Sequence, residues 1–346
     1  MALMDMQPLD APVLHKPRIG FAGVGWIGRN RMEALLGSGG CTAAAIAEPG
    51  AENAAAAAEL APDAIMLESF EDLLDVPDLD GVVIATPSAA HAEQSMAALE
   101  RGLAVFCQKP LGRNAREASA VVWAARRADR LLGVDLSYRH TAAMAAVRSA
   151  LQEGRVGNVF AVDLVFHNAY GPDKSWFYDR ALSGGGCVID LGVHLVDLAL
   201  WTLGFPEVVS VDSQLLAGGM ALVGPEQVED YAAATIKLAN GAIVRLTCSW
   251  NLHAGQEAEI GASFYGTHGG LEMRNVGGSF YDFEARELHG TAATTLVSPP
   301  DAWGGRAALD WLARLERSAR FDPAAGELTA VAEVLDRIYG AAGIRA

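Results

Sequence analysis

The sequence predicts an α/β chain in two parts, a doubly wound parallel sheet followed by an α+β domain with an open, mostly antiparallel sheet. Three observations carry this reading. A short apolar run at residues 19–22 opens directly into Gly23-Val-Gly25-Trp26-Ile27-Gly28. Strand and helix signals then alternate to residue 136, as in a sheet with helices on both faces. From about residue 138 longer strands with a two-residue period take over, the pattern of a sheet covered on one face.

The glycine stretch has a specific physics. Between a strand and a helix, the first glycine turns the chain, the second lets the backbone approach a pyrophosphate, and the third lets helix and strand pack closely. The phosphates would sit at the positive end of the helix that starts at Trp26 and Ile27. With 37 glycines in the chain, this motif needs support from its context. A second apolar run at 42–47 supplies it, ending in Glu48, 20 positions after Gly28. A carboxylate there accepts hydrogen bonds from the adenosine ribose hydroxyls. No Arg or Lys follows Glu48 until well past the next helix, so nothing neutralises a 2′-phosphate. The expected cofactor is NAD rather than NADP, and the expected first domain is a Rossmann unit over residues 18–137.

At 346 residues the chain is long for one core and suits two domains, the second being residues 138–346, for substrate binding and oligomerisation. It is 51% hydrophobic, yet no apolar run approaches the ~18 residues of a membrane span. A net charge of −16 argues against nucleic-acid or anionic-membrane partners and leaves a small molecule as the expected ligand. Residues 1–17 carry Asp5 and Asp10 without a central apolar stretch, so they read as a flexible arm rather than a secretory signal. Cys41, Cys107, Cys187 and Cys248 are scattered with no C-x-x-C pair. This predicts a reduced, cytoplasmic protein without a metal site.

In chain order, the first domain continues with a helix over 51–60, a short strand at 65–67, a short helix at 70–74 and a buried strand at 81–85. That strand ends in Thr86-Pro87-Ser88. Ligands on such sheets bind beyond the carboxyl ends of the strands, which brings Thr86, Pro87 and His91 beside the cofactor. For His91 an ordinary helix start capped by Ser88 stands equally open. The strand at 103–107 ends in Gln108-Lys109-Pro110, and a lysine at the end of an inner strand faces the cleft. A helix over 114–129 and a sixth strand at 131–136 follow. In the second domain Thr141 caps a helix to residue 153. Strands are predicted at 160–167, 208–216, 230–238, 243–250, 257–265, 270–274 and 279–283, with Asn240-Gly241 as a hairpin turn. Val244, Leu246, Cys248 and Trp250 alternate with Arg245, Thr247 and Ser249; that row reads either as an interface with a second subunit or as the core face. Helices over 306–320 and 327–340 close the chain and read as structural.

The candidate chemistry lies in Ser183-Gly-Gly-Gly-Cys-Val-Ile-Asp190-Leu-Gly-Val-His194-Leu-Val-Asp197. A glycine run feeding a helix lets substrate and nicotinamide approach closely. Asp190 and His194 fall at i and i+4 on one face, where they can share a proton-handling task. Asp197 is placed near that face, as a site residue or as a structural partner. Trp176, in the preceding loop, offers its ring to a sugar or packs on the domain. Tyr138 and Arg139 sit at the crossover and read as braces.

Taken together, Gly23-x-Gly25-x-x-Gly28, Ala85-Thr-Pro-x-x-x-His91, Lys109-Pro110 and Gly-Gly-x-x-x-Asp190-x-Gly-x-His194-x-x-Asp197 resemble the glucose-fructose oxidoreductase, inositol dehydrogenase and MocA family, from about Arg18 to the last helix. The resemblance implies a catalytic triad of Lys109, Asp190 and His194 and an open-faced sheet that builds homodimers or homotetramers. It implies an NAD-dependent dehydrogenase acting on a secondary alcohol of a sugar or polyol. Two other activities known in such relatives stand beside it: a glycosidase or lyase that oxidises the sugar only transiently, and an NAD-bound sensor without catalysis. One departure is visible. The family usually has Glu-Lys-Pro where this chain has Gln108-Lys109-Pro110, which keeps the shape and loses the charge next to Lys109.

Overall fold

The computed structural model describes residues 16–224 and 226–344; most of the expected arm at 1–17 lies outside them. The first half is a six-stranded parallel sheet of β1 (Arg18–Ala22), β2 (Thr42–Ala47), β3 (Ile65–Leu67), β4 (Gly81–Ile84), β5 (Ala104–Cys107) and β6 (Leu132–Val134), in the order β3-β2-β1-β4-β5-β6. Its inner strands are apolar on both faces because helices cover both. Ile19, Phe21, Val83 and Phe106 pack under α1 (Trp26–Gly37) and α2 (Ala51–Leu60). Val82, Ile84, Val105 and Cys107 pack under α3 (Phe70–Leu74), α4 (Ser88–Glu100) and α5 (Ala115–Ala128). Strand order reverses between β1 and β4, so the crevice of this sheet opens where Ala22, Ala47 and Ile84 end side by side.

After α6 (Ala142–Gln152), capped by the Thr141 side chain on the Met144 amide, the chain enters a nine-stranded sheet. Its strands are β7 (Val159–Asn168), β8 (Val208–Ala217), β9 (Met220–Ala221), β10 (Tyr231–Leu238), β11 (Ile243–Ser249), β12 (Ala258–Gly266), β13 (Gly270–Asn275), β14 (Phe283–His289) and β15 (Ala292–Val297). All neighbours are antiparallel except β7 and β11. At the β10–β11 hairpin Gly241 adopts φ +88° and the Asn240 side chain accepts the Ala242 amide, as the Asn-Gly pair requires. Between β7 and β8 the chain forms α7 (Arg180–Ser183), a π-helical turn at Val188–Gly192 and α8 (Val193–Leu203).

Several expectations change. The last predicted strand, 279–283, is a turn; the chain pairs instead as β14 and β15, whose threonine-rich and charged sequence gives little apolar alternation. Val244, Leu246, Cys248 and Trp250 are at most 3% exposed and pack on α8 within one subunit, so this row is core and gives no argument for oligomers. Arg245, on the outer face, pairs with Asp163. The segment Arg180–Leu203 is long and apolar enough to cross a membrane by composition, contrary to the sequence reading, but 83% of its most apolar window is buried in the fold. Its last part, α8, is the central core helix of the second half.

The division at residue 138 also does not divide the cores. α9 (Arg306–Arg317) returns to the parallel sheet, where Ala307, Ala308, Trp311, Leu312 and Leu315 complete the layer begun by α1. Trp311 is 1% exposed and fills space left by two glycines; a Cβ on Gly133 would lie 2.8 Å from its ring and one on Gly81 3.1 Å away. The final helix, α10 (Gly326–Ala341), packs on both α5 and α8. Trp311→Ala is therefore expected to destabilise the whole chain by about 3–5 kcal/mol, read as a lower urea midpoint. A shift within error would show that α9 is not part of the first core.

Candidate active site

One crevice of about 1560 Å³ runs between the two sheets, larger than a single small ligand needs and roomy enough for a dinucleotide and a second molecule. At one end it is lined by Gly23, Gly25, Trp26, Ile27 and Glu48, in the middle by Thr86, Pro87, His91, Gln108 and Lys109, and at the other end by Trp176, Asp190 and His194. The expected residues are thus brought together, with two exceptions. Gly28 lies behind the turn, where a Cβ would sit 2.1 Å from the Gly23 carbonyl oxygen. Asp197 is 1% exposed; the Arg139 Nε–H is shared between its two carboxylate oxygens at 2.8 and 3.0 Å, Arg139 Nη2 donates to it as well, and Nη1 holds Glu327 of α10. This is the brace expected of Arg139, with Asp197 as its structural partner.

The nucleotide end fits its expected occupant. Gly23 has φ +76° and no room for a side chain, its Cβ position being 2.7 Å from the Ala85 carbonyl oxygen. At Gly25 a Cβ would meet no protein atom within 4 Å, so the chain there faces open space at the first turn of α1. No side chain caps that turn, which leaves its amides for an anion. Glu48 accepts the Val24 amide at 2.9 Å and the Gly50 amide at 2.8 Å, which fixes its carboxylate at the end of β2 with lone pairs to spare for ribose hydroxyls. Glu52, Glu68 and Glu71 line the same end and add like charge.

His91 differs from its expected role. Its two ring nitrogens lie 2.7 Å from the carbonyl oxygens of Pro110 and Thr86, and the ring is 1% exposed. Burial lowers its pKa, against the pull of those carbonyls. The ring ties together two strand-end turns that border the cofactor; it has no free nitrogen to offer a ligand.

At the reacting end, Lys109 leaves the carboxyl end of β5 and its Nζ donates to Asp190 Oδ1 at 2.6 Å and to the Asp190 carbonyl oxygen at 2.8 Å. Trp250, from the end of β11, donates its Nε1 to Asp190 Oδ2 at 3.0 Å. Gln108 explains its own departure from the family pattern. Its Oε1 accepts the Lys109 amide at 2.7 Å and its Nε2 donates to Asp135 Oδ2 at 3.1 Å, an oxygen that also takes Arg31 Nε at 2.6 Å. A glutamate there would set a second carboxylate against Asp135. The glycine run serves close packing: Glu229, fully buried, accepts the Gly186 and Val188 amides, and a Cβ on Gly186 would lie 1.9 Å from the Glu229 carbonyl oxygen.

His194 is 6% exposed and its Nδ1 has no hydrogen-bond partner among the described residues. Burial pushes its pKa well below the ordinary imidazole value, and the charges of Lys109 and Arg31 push it the same way. Tyr138 meets the imidazole edge-on, with centroids 4.8 Å apart, so it belongs to the site and not only to the crossover. Trp250, Asp135, Arg31 and Tyr138 were not singled out as site residues by the sequence. Each comes from a different element, and only Arg31, three residues past Gly28, stood near a recognised motif.

Two family profiles match the chain: "Oxidoreductase family, NAD-binding Rossmann fold" over residues 17–136 and "GFO/IDH/MocA C-terminal domain" over residues 144–272. An inositol 2-dehydrogenase of Leifsonia xyli subsp. xyli is 30% identical over 71% of this chain and 70% of its own length. The chain belongs to the GFO/IDH/MocA oxidoreductase family. A 1,5-anhydro-D-fructose reductase of Ensifer adhaerens is 35% identical over 60% of this chain, and the alignment spans 61% of that protein, under two thirds of its length. Among solved structures, a levoglucosan dehydrogenase in complex with NADH superposes with a TM-score of 0.82 at 23% identity, covering 95% of this chain and 97% of the other, which shows a shared fold.

The buried histidines give the family member a defined acid response. His91 and His194 both have folded pKa values below the ~6.5 of an unfolded imidazole, so as pH falls through 6.5 the unfolded chain takes up their protons first. Stability is then lost on acidification, by up to about 1.4 kcal/mol per pH unit for each ring. Urea midpoints measured between pH 7 and pH 5 are expected to fall, with a shallower slope in His194→Asn; an unchanged slope would mean that His194 is not held neutral.

Proposed function

We propose that this chain is an NAD-dependent oxidoreductase that exchanges a hydride between a secondary alcohol carbon of a sugar or polyol and the nicotinamide. The observation that carries it is the meeting, in the crevice that holds the glycine turn, of the Lys109–Asp190 pair with an imidazole that is buried, neutral and unpartnered. A neutral imidazole in the wall of the crevice is what a general base needs. His194 takes the proton of the substrate hydroxyl. Lys109 hydrogen-bonds the same oxygen and stabilises negative charge on it as the proton leaves. Asp190, held on its other side by Trp250, fixes the lysine and orients the alcohol. When bound, NAD supplies the acceptor for the hydride, and the alcohol becomes a ketone. Glu48, Gly25 and the first turn of α1 hold its adenosine and pyrophosphate, and the acidic rim of Glu48, Glu52, Glu68 and Glu71 disfavours NADP.

The same reading makes the chain a cytoplasmic protein, supported by four unpaired cysteines, two of which lie with sulfurs 3.8 Å apart. It also makes it a homodimer or homotetramer through the outer face of the nine-stranded sheet. Support for that face is its span over nine strands and its small residues, Ala161, Ala233 and Gly261 among charged pairs.

A spectrophotometric screen of NADH formation against sugars and polyols tests the reaction. Net NADH from at least one secondary alcohol is expected, whereas turnover without net NADH would favour the transient-oxidation chemistry. His194→Ala is expected to cut kcat by about 10²–10⁴-fold. Its NAD affinity, measured by fluorescence titration, is expected to stay within about twofold, because a residue that acts only on the reacting proton adds no binding energy to the nucleotide. An undiminished kcat would remove the base.

A further inference from the structure

Two aromatic walls rise from the reacting groups. The first begins at Asp190, whose Oδ2 receives Trp250 Nε1; the Trp250 ring meets Phe177 edge-on at 6.3 Å, and Phe177 stacks on Trp176 at 3.8 Å with 20° between planes. The second begins at His194. Tyr138 stands 4.8 Å from the imidazole and 5.1 Å from Trp303, whose Nε1 donates to the Tyr281 carbonyl oxygen at 2.8 Å. Exposure rises along both walls. Trp250 is 3% and Tyr138 8% exposed at the base, Trp176 and Phe177 are half-buried, and Tyr281 is 56% exposed at the rim.

The hydrogen-bonding groups sit at the base. Beyond Lys109, Asp190 and His194, the next is Asn168, two residues past Phe166 on the same side of β7, and its Oδ1 is buried without a partner. It is an acceptor for a further hydroxyl of the reacting ring. Above it the walls offer ring faces, and the charged pair at the rim, Asp173 and Lys174, is engaged with itself at 3.0 Å. One face of Trp176 is taken by Phe177, which leaves the other for a second flat ring.

We propose that this crevice takes a glycoside: the sugar ring reacts at the base, and an aromatic aglycone stacks on Trp176 opposite Tyr281. The proposal rests on the dehydrogenase reading given above and adds the substrate class. The test compares NADH formation by the full chain, saturated with NAD, on methyl glycosides, phenyl glycosides and disaccharides of glucose, galactose and mannose in both anomers. For the hexose that reacts, kcat/KM is expected to be about tenfold higher for the phenyl than for the methyl glycoside, the gain of one aromatic stack. In Trp176→Ala, and in the rim variant Tyr281→Ala, that ratio is expected to fall toward one. Calorimetry with the NADH-bound protein should show phenyl glycoside binding weakened several-fold in both. Equal kcat/KM for phenyl and methyl glycosides, a disaccharide that outperforms the phenyl glycoside, or an unchanged ratio in both variants overturns the subsite and leaves the dehydrogenase reading in place. If no sugar, polyol or glycoside yields NADH, it is the dehydrogenase reading that fails, and the subsite with it; NADH from a polyol alone overturns the subsite only.

Discussion

The ion pair between Lys109 and Asp190 joins the two halves of the molecule at the point where chemistry is done. Lys109 lies just past the carboxyl end of β5 in the parallel sheet, while Asp190 belongs to the π-helical turn that leads into α8, the core helix of the other half. Their side chains are 18% and 15% exposed, and such enclosed charges are held only if their remaining hydrogen-bonding capacity is met. Here each side has a support. Trp250 takes the second carboxylate oxygen, the Asp190 carbonyl takes a further lysine proton, and Gln108 anchors the amide from which the lysine projects. The pair therefore fixes the two sheets relative to one another as well as the reacting groups.

The same enclosure sets the electrostatics of the base. His194 loses water, and so loses the solvation that would favour its cation. Lys109 and Arg31 add positive charge nearby, which makes protonation costlier still. Arg31 is itself neutralised by Asp135, and Asp135 has no charge to face at residue 108 because a glutamine stands there. Changing that glutamine to the family glutamate would thus reach the imidazole through two intermediates. The amide is read in both directions, as donor and acceptor, which a carboxylate cannot reproduce without taking up a proton.

What was legible in the sequence followed local rules. The glycine turn, Glu48, the six parallel strands and the Asn-Gly hairpin all depend on backbone conformation or on a period within a few residues. The misreadings depend on contacts that have no local mark. The row from Val244 to Trp250 alternates correctly, but whether α8 or another subunit covers it is decided by a helix some fifty residues earlier in the chain. Trp311 looks like any amphipathic position until Gly81 and Gly133 are seen to leave it room. His91 carried the family pattern, and its position was right; only the two carbonyls around it show that the ring ties turns together.

The helical spacing of Asp190 and His194 is the instructive case, because the prediction was sound in register and incomplete in geometry. A regular helix would stack i and i+4 on one stripe. The chain instead passes through a π-helical turn over Val188–Gly192 before α8 begins, and such turns insert a residue and swing the side chains that follow. Asp190 sits in the widened turn with its carbonyl within reach of the lysine, while His194 is the second residue of the regular helix with Nδ1 unpartnered. The two side chains then do different work: the carboxylate is spent on Lys109 and Trp250, and the imidazole stays uncommitted. The motif brings an acid and a base within one turn, and the partners that hold the carboxylate, Lys109 and Trp250, leave the imidazole free of it.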